Sequence, residues 1–133
     1  MDKNIAIDVD GVIFRFGPGD WKGPEYVGPL IPGVHGALLA LRSFGYRIVL
    51  YSCRTDMEVM GQPTTRLIRL LVEHLKRHEI PYDEIAIGKP IADFYIDDRG
   101  IRFESWPQAM GEVIKEMNRM EHPIKEDTDE TTG

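Results

Sequence analysis

The sequence predicts an α/β fold, an open parallel sheet carrying helices on both faces. Two patterns predict it. Short apolar runs of strand length alternate with stretches whose apolar residues recur at helical spacing. The runs also end, one after another, on residues able to do chemistry: Asp8, Ser52, the Gly88-Lys89 corner and Asp97. Strands joined through helices pair in parallel by right-handed crossovers, and such sheets bind ligands outside the carboxyl ends of their strands.

Each element has its own signal. Asn4-Ile5-Ala6-Ile7-Asp8-Val9 is an apolar run meeting an acid and then Gly11, which reads as a buried strand ending at Asp8. Residues 14–33 are crowded with glycine and proline, with Trp21 and Tyr26 as bulky members. That composition predicts an irregular excursion, and loops of this length in a compact domain are usually functional. Val34, Ala37, Leu38 and Leu41 fall on one helical face, with Gly45 as the stop. The run from Tyr46 to Tyr51 is the second strand, ending at Ser52. Leu67, Leu70, Leu71, His74 and Leu75 mark an amphipathic helix over 64–78. Ile85-Ala86-Ile87 and Phe94-Tyr95-Ile96 are two further short strands. Ser105-Trp106-Pro107-Gln108 resembles a capping box with proline in the first turn, opening a last helix to about Met120.

Length and composition bound the rest. A chain of 133 residues fits one domain, taken here as 1–120, and 42% hydrophobic with 29% charged residues is ordinary for a globular protein. Residues 121–133 offer almost nothing to bury and are expected to form a disordered acidic tail. The net charge of −6 works against sequence-independent nucleic-acid binding, which needs a basic surface. The single cysteine, Cys53, allows no internal disulfide and fits a reducing compartment. With no leader-like or membrane-length apolar segment, the expectation is a soluble, cytoplasmic protein.

The chemistry concentrates at the strand ends. In Asp8-Val9-Asp10-Gly11-Val12 two aspartates flank the end of a strand, so both can reach one site. One carboxylate can serve as a nucleophile and the other as a general acid and base, although Asp-Gly is also an ordinary turn. Ser52 can donate to a phosphoryl oxygen, or can simply cap a turn. Arg54 can bind an anionic group bidentately, or be a solvated surface residue. Lys89, aimed by Pro90, puts a positive charge where charge accumulates on a transferring phosphoryl group. Asp97 and Asp98 are adjacent carboxylates that repel unless a cation lies between them, and Mg²⁺ is typically held by one or two carboxylates.

Taken in order, these residues resemble the four motifs of the haloacid-dehalogenase-like phosphatases: an Asp-x-Asp pair, a Ser or Thr, a Lys and a late acidic pair. The resemblance spans residues 4–104 and implies a Rossmann-like sheet. It also implies Mg²⁺ as cofactor, Asp8 as nucleophile, Asp10 as general acid/base, and Ser52 and Lys89 as phosphoryl-binding groups. The metal would be held by Asp8, the Asp10 carbonyl, and Asp97 with Asp98, the bare pair leaving open which of the two makes direct contact. Gly11, Trp21 and Arg54 are assigned to substrate. Neither usual insertion point is long enough for a cap, so a capless member is expected, shielded only by the loop around Trp21.

Other arrangements are set aside. A cysteine-phosphatase loop on Cys53 needs an arginine where the chain has Val59. His74 and His78 have metal-pair spacing but lack the accompanying glutamate, and are read as a solvated helix face. A response-regulator receiver would place its lysine after its acid pair, and no Walker-type loop is present. Two alternatives stay open: a non-catalytic domain binding a phosphorylated partner, and a phosphatase of nucleic-acid ends using Arg54, Arg66 and Arg69 as a basic strip. The overall acidity favours a small phosphorylated metabolite over nucleic acid, and the oligomeric state is open.

Overall fold

The computed structural model describes residues 3–17, 19–88, 92–97 and 101–121. Five strands, β1 (Lys3–Asp8), β2 (Tyr46–Tyr51), β3 (Glu84–Ile85), β4 (Phe94–Asp97) and β5 (Ile101–Arg102), form one sheet in the order β3-β2-β1-β4-β5. Every pairing is parallel. Helices α1 (Val34–Ser43), α2 (Met57–Met60), α3 (Thr64–Arg77) and α4 (Trp106–Glu121) pack around it. This is an open α/β sheet of the Rossmann-like kind, and the described residues contain no separate cap domain. Among them no helix is long and apolar enough to cross a membrane.

The central position of β1 follows from its sequence. Ile5, Ala6 and Ile7 are fully buried, as a strand flanked on both sides and covered on both faces requires. Helix α1 ends where glycine permits it: Gly45, at φ 95°, donates its N–H to the Arg42 carbonyl at 2.9 Å. At the start of α4, Gln108 N–H donates to Ser105 Oγ (3.3 Å) while the Gln108 side chain accepts from Glu104 N–H (3.1 Å). The reciprocal cap is therefore present, reaching one residue further back than the motif would have it. Trp106 is buried in the core, and its indole N–H donates to the Val12 carbonyl at 3.1 Å, tying α4 to the turn that follows β1.

One expectation is corrected, and two features were not anticipated. The third strand stops at Ile85. Ala86 N–H still donates to the Leu50 carbonyl, but Ile87 is exposed and leaves the sheet edge. The two-residue β5 carries too little pattern to be legible. The link before α3 is not plain loop, since it holds a 3₁₀ turn (Cys53–Thr55) and α2. The expected tail lies beyond α4, and 122–133 fall outside the described residues.

Candidate active site

Beyond Asp8 the chain makes a tight turn. Val9 N–H still donates to the Tyr51 carbonyl at 3.2 Å, and the Val9 carbonyl then accepts from Ile13 at 2.9 Å. Gly11 N–H donates to the Phe14 carbonyl at 2.7 Å with Gly11 at φ 87°, a left-handed conformation that favours glycine. This turn swings Asp10 sideways toward the end of β2. There Arg54 grips its carboxylate with two nitrogens, Nε to Oδ2 at 2.7 Å and Nη2 to Oδ1 at 2.9 Å.

Ser52 sits just past β2 and is buried. Its Oγ accepts the Arg54 backbone N–H at 3.0 Å, capping the 3₁₀ turn, and lies 3.5 Å from Asp10 Oδ2, a long contact. Capping uses a lone pair of this hydroxyl and leaves its proton toward Asp10. Cys53 reports the charge nearby. Burial pushes its thiol above the ordinary value, and the Asp10 and Asp8 carboxylates push it the same way. Both acids therefore lie close to the 3₁₀ turn, and Cys53 is a poor thiolate.

Arg54 is only 3% exposed. Trp21, arriving from the 14–33 loop, covers it with its ring centroid 4.9 Å from the guanidinium carbon. The loop is held at both ends and in the middle. At its stem Arg15 N–H donates to the Pro29 carbonyl (2.8 Å) and Ile31 N–H to the Ile13 carbonyl (2.9 Å). Gly28 lies so close to that stem that a Cβ there would stand 2.2 Å from the Arg15 carbonyl oxygen. In the middle, two residues of α3 pin it. His74 Nε2 donates to the Pro24 carbonyl at 3.0 Å, and Arg66 pairs with Glu25 at 3.0 Å while also bonding Gln62.

These contacts correct three sequence expectations. His74 is no part of a solvated face. It is buried, and a carbonyl on Nε2 with the Arg77 guanidinium on Nδ1 (3.3 Å) makes it a neutral imidazole protonated on Nε2. Desolvation leads in holding its pKa below the ordinary value, with Arg54 and Arg77 acting in the same direction. Arg54 is not a solvated residue either. The basic strip of Arg54, Arg66 and Arg69 does not form, because Arg54 is committed to Asp10 and Arg66 to Glu25.

Asp97 closes β4, one residue beyond Ile96, which is in register with Ile7, just as Asp8 is one beyond Ile7. The backbone therefore sets Asp97 beside Asp8 at the carboxyl edge. Gly88, the neighbour of Lys89, lines a cavity of about 490 Å³ together with Ser52, Cys53 and Asp56. Lys89 and Asp98 lie outside the described residues. Gly11 lines another cavity, of about 750 Å³, between the loop stem and the start of α4.

No protein-family model matches the chain, and no curated protein does. Among solved structures it is similar to a structural-genomics target from Vibrio cholerae, at 27% identity and TM-score 0.58, over 90% of this chain and 98% of that one. It is also similar to a conserved protein from Bacteroides thetaiotaomicron, at 23% identity and TM-score 0.60, over 88% and 93% of the two chains. These likenesses support the fold and name no activity. A D,D-heptose 1,7-bisphosphate phosphatase from B. bronchiseptica, complexed with magnesium and phosphate, aligns at 16% identity and TM-score 0.42, over 87% of this chain and 64% of that one. At that score the likeness carries no argument.

Proposed function

We propose that the protein is a Mg²⁺-dependent phosphate-monoester hydrolase of the haloacid-dehalogenase-like kind, acting on a small phosphorylated metabolite through an aspartyl-phosphate on Asp8. The observation that carries this reading is the gathering of Asp8, Asp10 and Ser52 at the carboxyl edge of adjacent parallel strands, with Asp97 in register beside Asp8. In the first half-reaction a carboxylate oxygen of Asp8 bonds to phosphorus, the ester P–O bond breaks, and Asp10, which must hold a proton despite its Arg54 partner, gives that proton to the leaving oxygen. In the second, Asp10 takes a proton from water, whose oxygen attacks phosphorus and returns Asp8 to the carboxylate. Ser52 and Lys89 would bind the phosphoryl oxygens in both.

The residues that would hold the metal are of the kind a hard cation takes, the Asp8 carboxylate, the Asp10 carbonyl, Asp97 and Asp98, although no three metal-binding side chains come together among the described residues. The turn's own backbone bonds run to the carbonyls of Val9 and Phe14, and among the described residues none runs to that of Asp10. When bound, Mg²⁺ would neutralise charge on the phosphoryl group. The test is phosphate release from a generic phosphate ester, with and without EDTA. Release that EDTA abolishes and Mg²⁺ restores is expected. Release indifferent to EDTA would overturn the metal assignment, and binding of phosphorylated ligands without any release would favour a non-catalytic domain.

A further inference from the structure

The 14–33 loop carries three large aromatic side chains in the open, Phe16 at 45%, Trp21 at 40% and Tyr26 at 61% exposure. All three line one cavity of about 420 Å³, within the range of small-molecule sites. They are not the loose ends of a floppy segment, since the stem bonds, the Gly28 close approach and the two pins from α3 hold the loop in place. Such a cluster normally goes into a core or against a ligand.

The cavity is also basic in an acidic protein. Arg15 and Lys22 line it against one acid, Asp20, whose carboxylate already accepts the Gly17 N–H at 2.8 Å, while the charge of Arg54 is matched by Asp10. Arg54 is part of its lining and also grips Asp10, so cavity and acid/base group share one residue. The remaining nitrogen of that guanidinium, Nη1, is buried and meets no acceptor among the described residues.

We infer that this cavity is the leaving-group subsite, shaped for a nucleotide: a phosphate ester whose leaving group carries a flat heteroaromatic base. The inference rests on the hydrolase reading above and adds the substrate class to it. Bases stack on aromatic side chains, and here three exposed rings line one cavity. A sugar or polyol would call for several amide, hydroxyl or carboxylate side chains, and among the described residues the lining has no Asn, Gln, Ser or Thr and offers only the Tyr26 phenol and Asp20. Arg54 touches both Trp21 and Asp10, so a ring docked on the aromatics lies one side chain away from the acid, as a pentose sets a base apart from its phosphate.

The experiment is calorimetric binding to an Asp8→Asn protein in Mg²⁺, with purine nucleoside 5′- and 3′-monophosphates, ribose 5-phosphate, inorganic phosphate and a short 5′- or 3′-phosphorylated oligonucleotide. A mononucleotide is expected to bind about tenfold or more tighter than ribose 5-phosphate. Tyr26→Ala, at the most exposed ring, and Trp21→Ala should each shrink that preference. Equal affinity for nucleotide and ribose 5-phosphate would overturn the inference, as would a preference that neither variant changes. An oligonucleotide binding tighter than the mononucleotide would locate the nucleotide at a nucleic-acid end, and the reverse order would make it a free nucleotide. Turnover by the wild type is read separately. A nucleotide preference without hydrolysis keeps the subsite and sinks the hydrolase, whereas hydrolysis without preference does the opposite.

Discussion

The carboxyl edge of β1 and β2 and the 14–33 loop meet at Arg54, yet they are held there by different means. Asp8 and Ser52 are placed by ladders of parallel pairing, six register pairs between β1 and β2, with the centre of β1, Ile5 to Ile7, fully buried. Their positions are redundant, because many backbone bonds and core contacts specify the same strand end. The loop has no ladder of that kind. It depends on a two-bond stem, one glycine that lets backbone approach backbone, and one side chain each from His74 and Arg66. Substitutions at the edge should therefore remove chemistry while sparing the fold, and substitutions in the loop's pins should loosen local structure and the substrate cavity together.

The sharpest expected effect is at the edge. Asp8→Asn removes the nucleophile without changing side-chain volume, so turnover should fall below a few per cent of wild type with the melting temperature nearly unchanged. Retained turnover in a clean preparation would defeat the covalent mechanism.

At the junction the two regions should stop behaving separately. Arg54→Met strips the Asp10 carboxylate, only 13% exposed, of its fork and should cost about 3–5 kcal/mol in urea unfolding. Adding Asp10→Asn should recover much of that loss, because a neutral amide tolerates the missing cation better. If the double variant is as unstable as the sum of the singles, the pair does not couple loop to edge.

Gly28→Ala tests the loop's stem. A methyl group 2.2 Å from the Arg15 carbonyl oxygen must push backbone apart, at about 2 kcal/mol or more. Hydrogen exchange should quicken at Arg15 and Ile31 while the amides of β1 stay protected. Uniform loss of protection would mean that the loop is part of the global cooperative unit.

The mildest effect is a pH dependence carried by His74. Its imidazole is kept neutral in the fold, so the unfolded chain binds the extra proton as pH drops below the ordinary value of 6.5. Stability from this residue is therefore complete above 6.5 and declines below it, by at most about 1.4 kcal/mol per pH unit. His74→Phe should flatten that part of the profile, and an unchanged slope would assign it elsewhere.

Much of this architecture was legible in the chain because it is local. Apolar runs of period two or continuous burial marked β1, β2 and β4, helical spacing marked α1 and α3, and Ser105 with Gln108 marked the start of α4. The strand-end acids were legible for the same reason, since a strand's last residue is readable from its own neighbours. Strand β5, two residues long, was too short to carry a period. Only the tertiary structure decided that Arg54 belongs to Asp10, 44 residues earlier, and that His74 is a buried pin on Pro24, 50 residues away. Nothing near Arg54 or His74 distinguishes a surface cation or a solvated imidazole from a buried one. Burial and partner are properties of what the fold brings alongside, and the same holds for the three loop aromatics, whose spacing has no period and whose common cavity exists only once α3 has pinned the loop.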